Sequence, residues 1–419
     1  MGTPHQTPVS FTDALRVANV RLFIGSVGFF TFASRSLAVV IGFQIYKLTH
    51  SAMALGWLGL VEAIPALSLV LLGGYAADRF NRHRILLITR ASSCLCALAL
   101  ALLSLSHSQA SLIGLYAVIF LAGIARGFAD PANTAFEAQI VPKQLTVNAS
   151  SWISSTWISC SVAGPACIGF VFASFGAVGS YLVIFVFFTL SWLCTRALKP
   201  APQEKITRGE PLIKSLSLGW QFVFSHQPLL GALALDLFAV LFGGAMALLP
   251  IYAETILHVG AKGLGLLNAA PWLGALLTTL TATKHPPIAK AGRNLLLAVA
   301  GFGVSILVFA FSKNFFLSLA ALFFSGVFDG VSVVIRRSMV RLLSPEHLRG
   351  RIAAASWVFI CASNELGAFE SGLVAAWIGV VPCVAAGGIV TIGIVLLTSL
   401  WAKQLRELRF DTMTLEQAP

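Results

Sequence analysis

The chain has 419 residues, 57% of them hydrophobic and 11% charged, where a soluble globular protein carries about 45–50% apolar and roughly 25% charged residues. At a mean hydropathy of +0.86 it lacks the polar surface to coat a soluble domain, and disordered, collagen-like, coiled-coil and disulfide-scaffold classes are excluded as well. Its net charge of +12 falls in short clusters between apolar runs, not on one face interleaved with aromatics, so no nucleic-acid partner is expected.

Residues 1–20 are polar and contain Pro4 and Pro8, so no cleavable signal peptide is expected. Gln6 stands where a myristoylation signal needs Ser or Thr. A bilayer core of about 30 Å takes roughly 20 apolar residues as a helix, which satisfies every backbone group internally. Twelve stretches qualify: 21–47, 52–76, 85–106, 111–139, 147–174, 177–197, 228–253, 262–283, 293–312, 315–338, 352–377 and 379–402. None shows the sustained alternation of a barrel strand. The expected fold is therefore an all-α integral membrane protein of twelve transmembrane helices. Within the connecting stretch 198–227, residues 212–224 read as an amphipathic helix lying along the inner surface.

With the N-terminus inside, the inner segments collect Arg16, Arg79, Arg82, Arg84, Lys143, Lys199, Lys205, Arg208 and Lys214 from the first half of the chain. From the second half they collect Lys284, Lys290, Arg293, Arg337, Arg341, Arg349, Arg351, Lys403, Arg406 and Arg409. The outer loops keep Lys47, Lys262 and Lys313. That asymmetry places both termini in the cytoplasm. The seven cysteines (94, 96, 160, 167, 194, 361 and 383) lie in apolar runs without zinc-ligand or C-x-x-C spacing, and read as small packing residues and not disulfides.

Residues 58–67, LGLVEAIPAL, match 264–273, LGLLNAAPWL, at six of ten positions. A second echo pairs Gly123 with Gly326, Gly127 with Gly330, Pro142 with Pro345 and Leu145 with Leu348. The echoes join span 2 to span 8 and span 4 to span 10, so an even number of spans separates the copies and the halves are parallel repeats. Such duplication marks secondary transporters, with the site at the midplane between the halves. The expected organisation is a six-helix bundle over 1–197, a cytoplasmic linker over 198–227, a second six-helix bundle over 228–405 and a cytoplasmic tail over 406–419, with a central cavity between the bundles.

Between spans 2 and 3 runs Gly74-Tyr75-Ala76-Ala77-Asp78-Arg79-Phe80-Asn81-Arg82-His83-Arg84. Topology alone needs the bases but not the acid. The stretch resembles the loop signature G-x-x-x-D-R-x-x-R-x-R of the major facilitator superfamily, at the expected place. The resemblance implies that Gly74, Asp78, Arg79, Arg82 and Arg84 form a cytoplasmic gate, with Asp78 paired to a helix end or an arginine and the bases making breakable contacts between halves. The second-half loop from Lys284 to Arg293 is basic but has no Asp, so that copy is degenerate. Span 5 carries Ala163-Gly164-Pro165-Ala166-Cys167-Ile168-Gly169, similar to the G-P-x-x-G-G element of the superfamily's antiporters, with Ile168 in place of the first paired glycine. Segments 363–372, SNELGAFESG, and 235–249, LDLFAVLFGGAMALL, look like the branch that contains the enterobactin exporter and drug efflux proteins. The resemblance covers about residues 15–405.

Seven of the 16 acidic residues lie within spans: Glu62, Asp130, Glu137, Asp236, Asp329, Glu365 and Glu370. Arg35 and Arg126 join them. An ionisable group near the bilayer centre costs at least about 2.5–3.5 kcal/mol on insertion scales and so faces a cavity or a partner. Counted at about 1.5 Å per residue, Arg35, Glu62, Arg126 and Glu365 share one level roughly 20 Å from the inner boundary. Asp130, Asp236 and Asp329 form a lower layer. The resemblance implies that spans 1, 4, 7 and 10 line the cavity, and each of them carries a charge.

Arg126 and Asp130 are four apart and share a helix face, as a structural pair or as part of the site. Pro131 is expected to kink span 4 beside them. Glu137 and Arg336 are expected in water near the inner surface, and Glu370 either snorkels outward or serves the site. Burial favours the neutral form of a carboxyl group in general, which suits Glu62 and Glu365 to proton carriage. Arg35 and Arg126, which do not release a proton, suit an anionic substrate or a neighbouring acid. Trp57, Trp152, Trp157, Trp272 and Trp357 are either packing residues or rings for a planar ligand, while Gly123, Gly127, Gly326 and Gly330 allow close helix approach.

The expected function is proton-coupled efflux of a small amphipathic or anionic organic molecule, siderophore-like or drug-like, by alternating access across a bacterial inner membrane. An importer or a lipid flippase on the same scaffold is the alternative. The spans hold no Ser/His pair, H-E-x-x-H or paired-aspartate motif, and the histidines read as loop or terminal residues, so an intramembrane enzyme is excluded. No cofactor is expected beyond a proton gradient. The partners are a small-molecule substrate and the bilayer, and the working unit is a monomer.

Overall fold

The computed structural model describes residues 12–105, 109–199, 220–243, 245–284, 287–345 and 348–410. Most of the expected amphipathic helix at 212–224 lies outside the described residues, as does the tail from 411 onward; residues 220–225 are helical.

Long helices account for almost everything else. They are α1 (Ala18–Thr49), α2 (Ala52–Arg79), α3 (Arg82–Leu103) and α4 (Gln109–Ile140), followed by the continuous stretch Thr146–Ala197. That stretch divides at Gly176, whose φ of 66° is closed to most side chains, into α5 (146–175) and α6 (177–197). Beyond the linker come α7 (Gln227–Phe242), α8 (Gly260–Lys284), α9 (Ala291–Phe311), α10 (Phe315–Leu343), α11 (Arg349–Ile378) and α12 (Val380–Trp401). Counting Thr146–Ala197 once, ten helical stretches among the described residues are long and apolar enough to cross a membrane. The 52 residues of Thr146–Ala197 measure about 78 Å at helical rise, enough to cross twice.

Polar side chains start several of these helices. Ser51 accepts from the Ala54 N–H at α2, Asn81 from Arg84 at α3, and Asn314 from Phe316 and Leu317 at α10. Gly379, at φ 92°, makes the tight joint between α11 and α12.

The span expected at 228–253 is not one helix. It stops at Phe242 with Gly243 as C-cap, then continues through a 3₁₀ turn (Ala245–Leu248), one helical turn (Leu249–Ile251) and a π turn (Tyr252–Ile256). The Gly243-Gly244 pair has low helix propensity and Pro250 has no backbone N–H to donate, so the ladder is interrupted within an uninterrupted apolar run.

Within residues 18–197, α1 packs along Thr146–Ala197, α2 against α4, and α3 against both α4 and Thr146–Ala197. Within 227–406, α8 packs on α10, α9 on α10 and α12, and α7 on α11 and α12. The two segments meet where α2 lies on α11 and where Thr146–Ala197 lies on α8. The echoed sequence segments make equivalent contacts. Gly123 of α4 seats against the Glu62 carbonyl and Pro65 of α2, and Gly326 of α10 seats against the Pro271 backbone of α8.

Apolar packing differs at the two ends. At the end remote from the termini a single core runs through both segments, from Ile45, Leu100 and Ile184 to Leu249, Tyr252, Phe309 and Val384. At the end carrying the termini the segments keep separate cores, one around Phe23, Leu86 and Phe136 and another around Leu235, Leu295 and Leu405.

Candidate functional site

Two helix crossings join the segments, and each carries a set of functional side chains about two turns toward the termini-bearing end. At the first, Gly56 of α2 lies against Gly372 of α11, where an added Cβ would come within 3.1 Å of the Gly372 Cα. Trp57 meets Phe369 edge-on at 5.2 Å beside it. Six residues along α2 stands Glu62, and seven back along α11 stands Glu365, so each lies about 10 Å below the crossing at helical rise.

Arg126 of α4 fills the space between those two acids. Its Nη1 donates to Glu62 Oε1 and to Glu365 Oε1, each at 3.0 Å. Its Nε lies 3.7 Å from Asp130 Oδ2, one turn on. Gly123 makes this possible by letting the α4 backbone settle onto the Glu62 carbonyl. The four side chains are between 18% and 48% exposed, which is wet for residues near the middle of such helices. The arginine thus ties α2 and α4 of one segment to α11 of the other.

At the second crossing, Gly265 of α8 packs against the Pro165 carbonyl and Gly169 of α5. Gly164 faces the other way, onto the Phe32 carbonyl of α1. The Gly-Pro element therefore holds α5 between α1 and α8. Trp157 and Trp272 stand eight and seven residues from this crossing and touch edge-to-face, 5.3 Å apart at 87°. The Arg35 guanidinium of α1 lies over Trp272 at 4.4 Å and over Trp157 at 5.4 Å. Arg35 is also within electrostatic reach of Glu62, Arg126, Asp130 and Glu365. Two bases and three acids are therefore gathered within electrostatic reach of Arg35. The side chain of Trp357 lies outside the described residues.

The remaining charges form other groups. Asp236 of α7 pairs with Arg336 of α10, which also lies 3.8 Å from Asp329. Arg336, expected in water, is 7% exposed and Asp236 8%. Arg336 is buried because α10 runs to Leu343, five residues past the expected end, so that Arg336 stands two turns inside. Its spacing of seven from Asp329 puts both on one helix face, a signal the sequence does carry. Glu137 is half-buried and accepts from the Ser150 hydroxyl at 3.4 Å; Glu370 accepts from Ser371 at the same distance.

Arg90 is a buried cation that the sequence reading does not single out. It lies eight residues into α3 and donates to Ser191 Oγ at 2.9 Å and Asn133 Oδ1 at 3.3 Å, with its guanidinium over Phe30 at 4.5 Å. His83 is another departure from expectation: it belongs to the first turn of α3, not to a loop. Its ring nitrogen lies 2.7 Å from the Thr195 carbonyl.

In the expected gate, Asp78, Arg79 and Arg84 are exposed. Arg82 bonds the carbonyls of Ala77 and Ala135 and lies 3.8 Å from Asp78, while Arg79 bonds Tyr75. All of these partners belong to the same segment as the loop. A Cβ added at Gly74 meets nothing within 4 Å. At the opposite end Lys47 lies 3.9 Å from Glu254 and so bridges the segments there.

Comparison with known proteins accords with this geometry. Residues 24–293 match the Major Facilitator Superfamily. The enterobactin exporter EntS of Shigella flexneri is 28% identical over 368 residues, covering 87% of each chain, and that of Escherichia coli O139:H28 is 28% identical over 370 residues with the same coverage. Among solved structures, a D-xylose-proton symporter superposes with a TM-score of 0.71 at 13% identity, over 90% of this chain and 96% of that one. The POT family transporter PepTSo gives 0.70 at 14% identity, over 93% and 98%. A wet, charge-bearing level tied across two helical segments and a family match over more than half the length lead to one assignment: the chain is a multi-pass membrane transporter, not an enzyme, and belongs to the Major Facilitator Superfamily.

Proposed function

We propose that the protein is a proton-coupled exporter of a small amphipathic or anionic organic molecule, siderophore-like or drug-like. It works as two parallel-repeat bundles of six spans around a central cavity, in a bacterial inner membrane with both termini cytoplasmic. The likeness to enterobactin exporters supports the substrate class and direction. The observation that carries the reading is the bond of Arg126 to Glu62 on one side and Glu365 on the other, because it couples a titratable group to the contact between the moving halves.

The mechanism follows from that contact. With both acids ionised, Arg126 holds α2, α4 and α11 together. A proton arriving on Glu365 removes one charge-assisted hydrogen bond, worth about 1.5–3 kcal/mol. Alternating states differ by only a few kcal/mol, so one proton shifts their populations by about tenfold or more. The separate apolar cores at the termini-bearing end and the common core at the other fit the state that admits substrate from the cytoplasm. In the opposite state the Asp78–Arg84 loop closes that end, which suits its exposure here.

Everted vesicles loaded with acid test this reading. Wild-type protein is expected to accumulate substrate in them, and Glu365→Gln to abolish the dependence on the proton gradient. A Glu365→Gln protein whose proton-driven transport keeps the wild-type pH profile removes Glu365 as the carrier. Accumulation only when the gradient is reversed makes the protein an importer.

A further inference from the structure

Arg126 spends its donors on acids; Arg35 does not. Among the described residues the Arg35 guanidinium donates no hydrogen bond and forms no ion pair, and its close contacts are the faces of Trp157 and Trp272. The nearby acids Glu62, Asp130 and Glu365 are each held by Arg126. Arginine stays charged in proteins and presents its donors in the plane of the guanidinium. With its carbon over the two indoles and no protein acceptor bonded to it among the described residues, its donor edge remains free to meet a planar two-oxygen anion. Trp157 is itself 37% exposed, so part of its ring is open to a second ring. The parts come from α1, α5 and α8, and therefore from both segments.

We infer that Arg35, Trp157 and Trp272 form a subsite for a planar aromatic anion, whose acidic oxygens meet the Arg35 edge while its ring lies against the indoles. The role in transport, though not the binding itself, rests on the exporter reading given above. An organic cation fits poorly, since the Arg35 guanidinium held beside the indoles would repel it. An aliphatic anion gains the charge but not the ring contact. Because α5 and α8 belong to different segments, a ligand here touches both sides of the crossing at once, as a substrate that favours one state over the other must.

The test uses the full chain in lipid nanodiscs, with 2-naphthoate as probe and binding followed by titration calorimetry and tryptophan fluorescence. We expect saturable binding that quenches the tryptophans, with cyclohexanecarboxylate and 2-naphthylmethylammonium each at least about tenfold weaker. Arg35→Gln is expected to weaken 2-naphthoate by about tenfold or more, in line with loss of a bidentate charged contact. Trp272→Leu is expected to weaken it by about three- to tenfold. Should Arg35→Gln fail to fold, Arg35→Lys serves: it keeps the charge, loses the planar fork, and is expected to weaken the carboxylate while leaving the ammonium probe unaffected. Absence of binding at millimolar probe, equal binding of the ammonium, or binding indifferent to both Arg35 and Trp272 overturns the subsite. Naphthoate bound with Arg35 dependence but never translocated in vesicles upholds the subsite and overturns the exporter reading; transport of another substrate with no Arg35-dependent binding does the reverse.

Discussion

Arg336 illustrates how a few residues of helix length change the meaning of a side chain. Placed at a helix end it is one more inner-surface base; two turns inside α10 it is the buried partner of Asp236. Removing one member of a buried pair leaves an uncompensated charge and costs about 3–5 kcal/mol. Arg336→Gln is therefore expected to lower the melting temperature of the detergent-solubilised protein clearly. Arg336→Gln with Asp236→Asn should recover most of that loss, since the pair then leaves together. Equal destabilisation by the single and double variants would show that packing, and not charge, holds α7 to α10. Arg90 was hidden by similar means: the apolar run on either side of it dilutes one arginine in any window of span length. By contrast Glu62, Arg126 and Glu365 were legible as a common level, because helical rise converts residue counts into depth. That one arginine serves both acids was not legible, since it depends on how α4 settles onto α2.

At the scale of helices, hydropathy located nearly every one and even separated α5 from α6 near Gly176. It failed between Gly243 and Ile256 because apolarity is the same whether the backbone is α, 3₁₀ or π; only the glycine pair and Pro250 hint at the break. Glycine spacing decides how closely the helices cross. A Cβ at Gly169 would lie 2.6 Å from the Ala261 carbonyl oxygen and 3.0 Å from the Gly265 Cα, so Gly169→Val is expected to push α5 from α8 and lower thermal stability. Gly74, beside which a Cβ meets nothing, is expected to accept Ala with an unchanged melting temperature. If both variants melt with the wild type, the crossing is looser than these distances state. The same Gly74→Ala protein is a test of the gate, since a close approach of the loop in the opposite state would slow transport without altering the melting temperature.

For the whole molecule, the far end is fastened by a common apolar core and by Lys47 opposite Glu254. Cysteines at these two positions, joined by a flexible bis-maleimide, are expected to stop transport, whereas each single cysteine variant treated alike keeps it. Unimpaired transport in the linked protein would mean that this end does not open. A second whole-molecule expectation concerns the loop: Asp78→Asn should reach the membrane in wild-type amount yet lose most transport, and normal transport would remove the loop from the gate. The matching contacts of α2 with α4 and of α8 with α10 were legible as two short echoes in the sequence, while the difference between the two ends was not, because one sequence serves both states of a carrier.

The Glu62, Asp130, Glu365, Arg35 and Arg126 group has an electrical consequence. Its fixed charges return to their starting places after each full cycle, so they contribute no net current. If one proton enters for each monoanion that leaves, two positive equivalents move inward per turnover. Each is worth about 2.3 kcal/mol per 100 mV, so voltage alone, inside negative, becomes a motor. Vesicles held at equal pH on both faces, with a potassium diffusion potential of either sign imposed by valinomycin, are expected to move substrate in the direction the sign dictates.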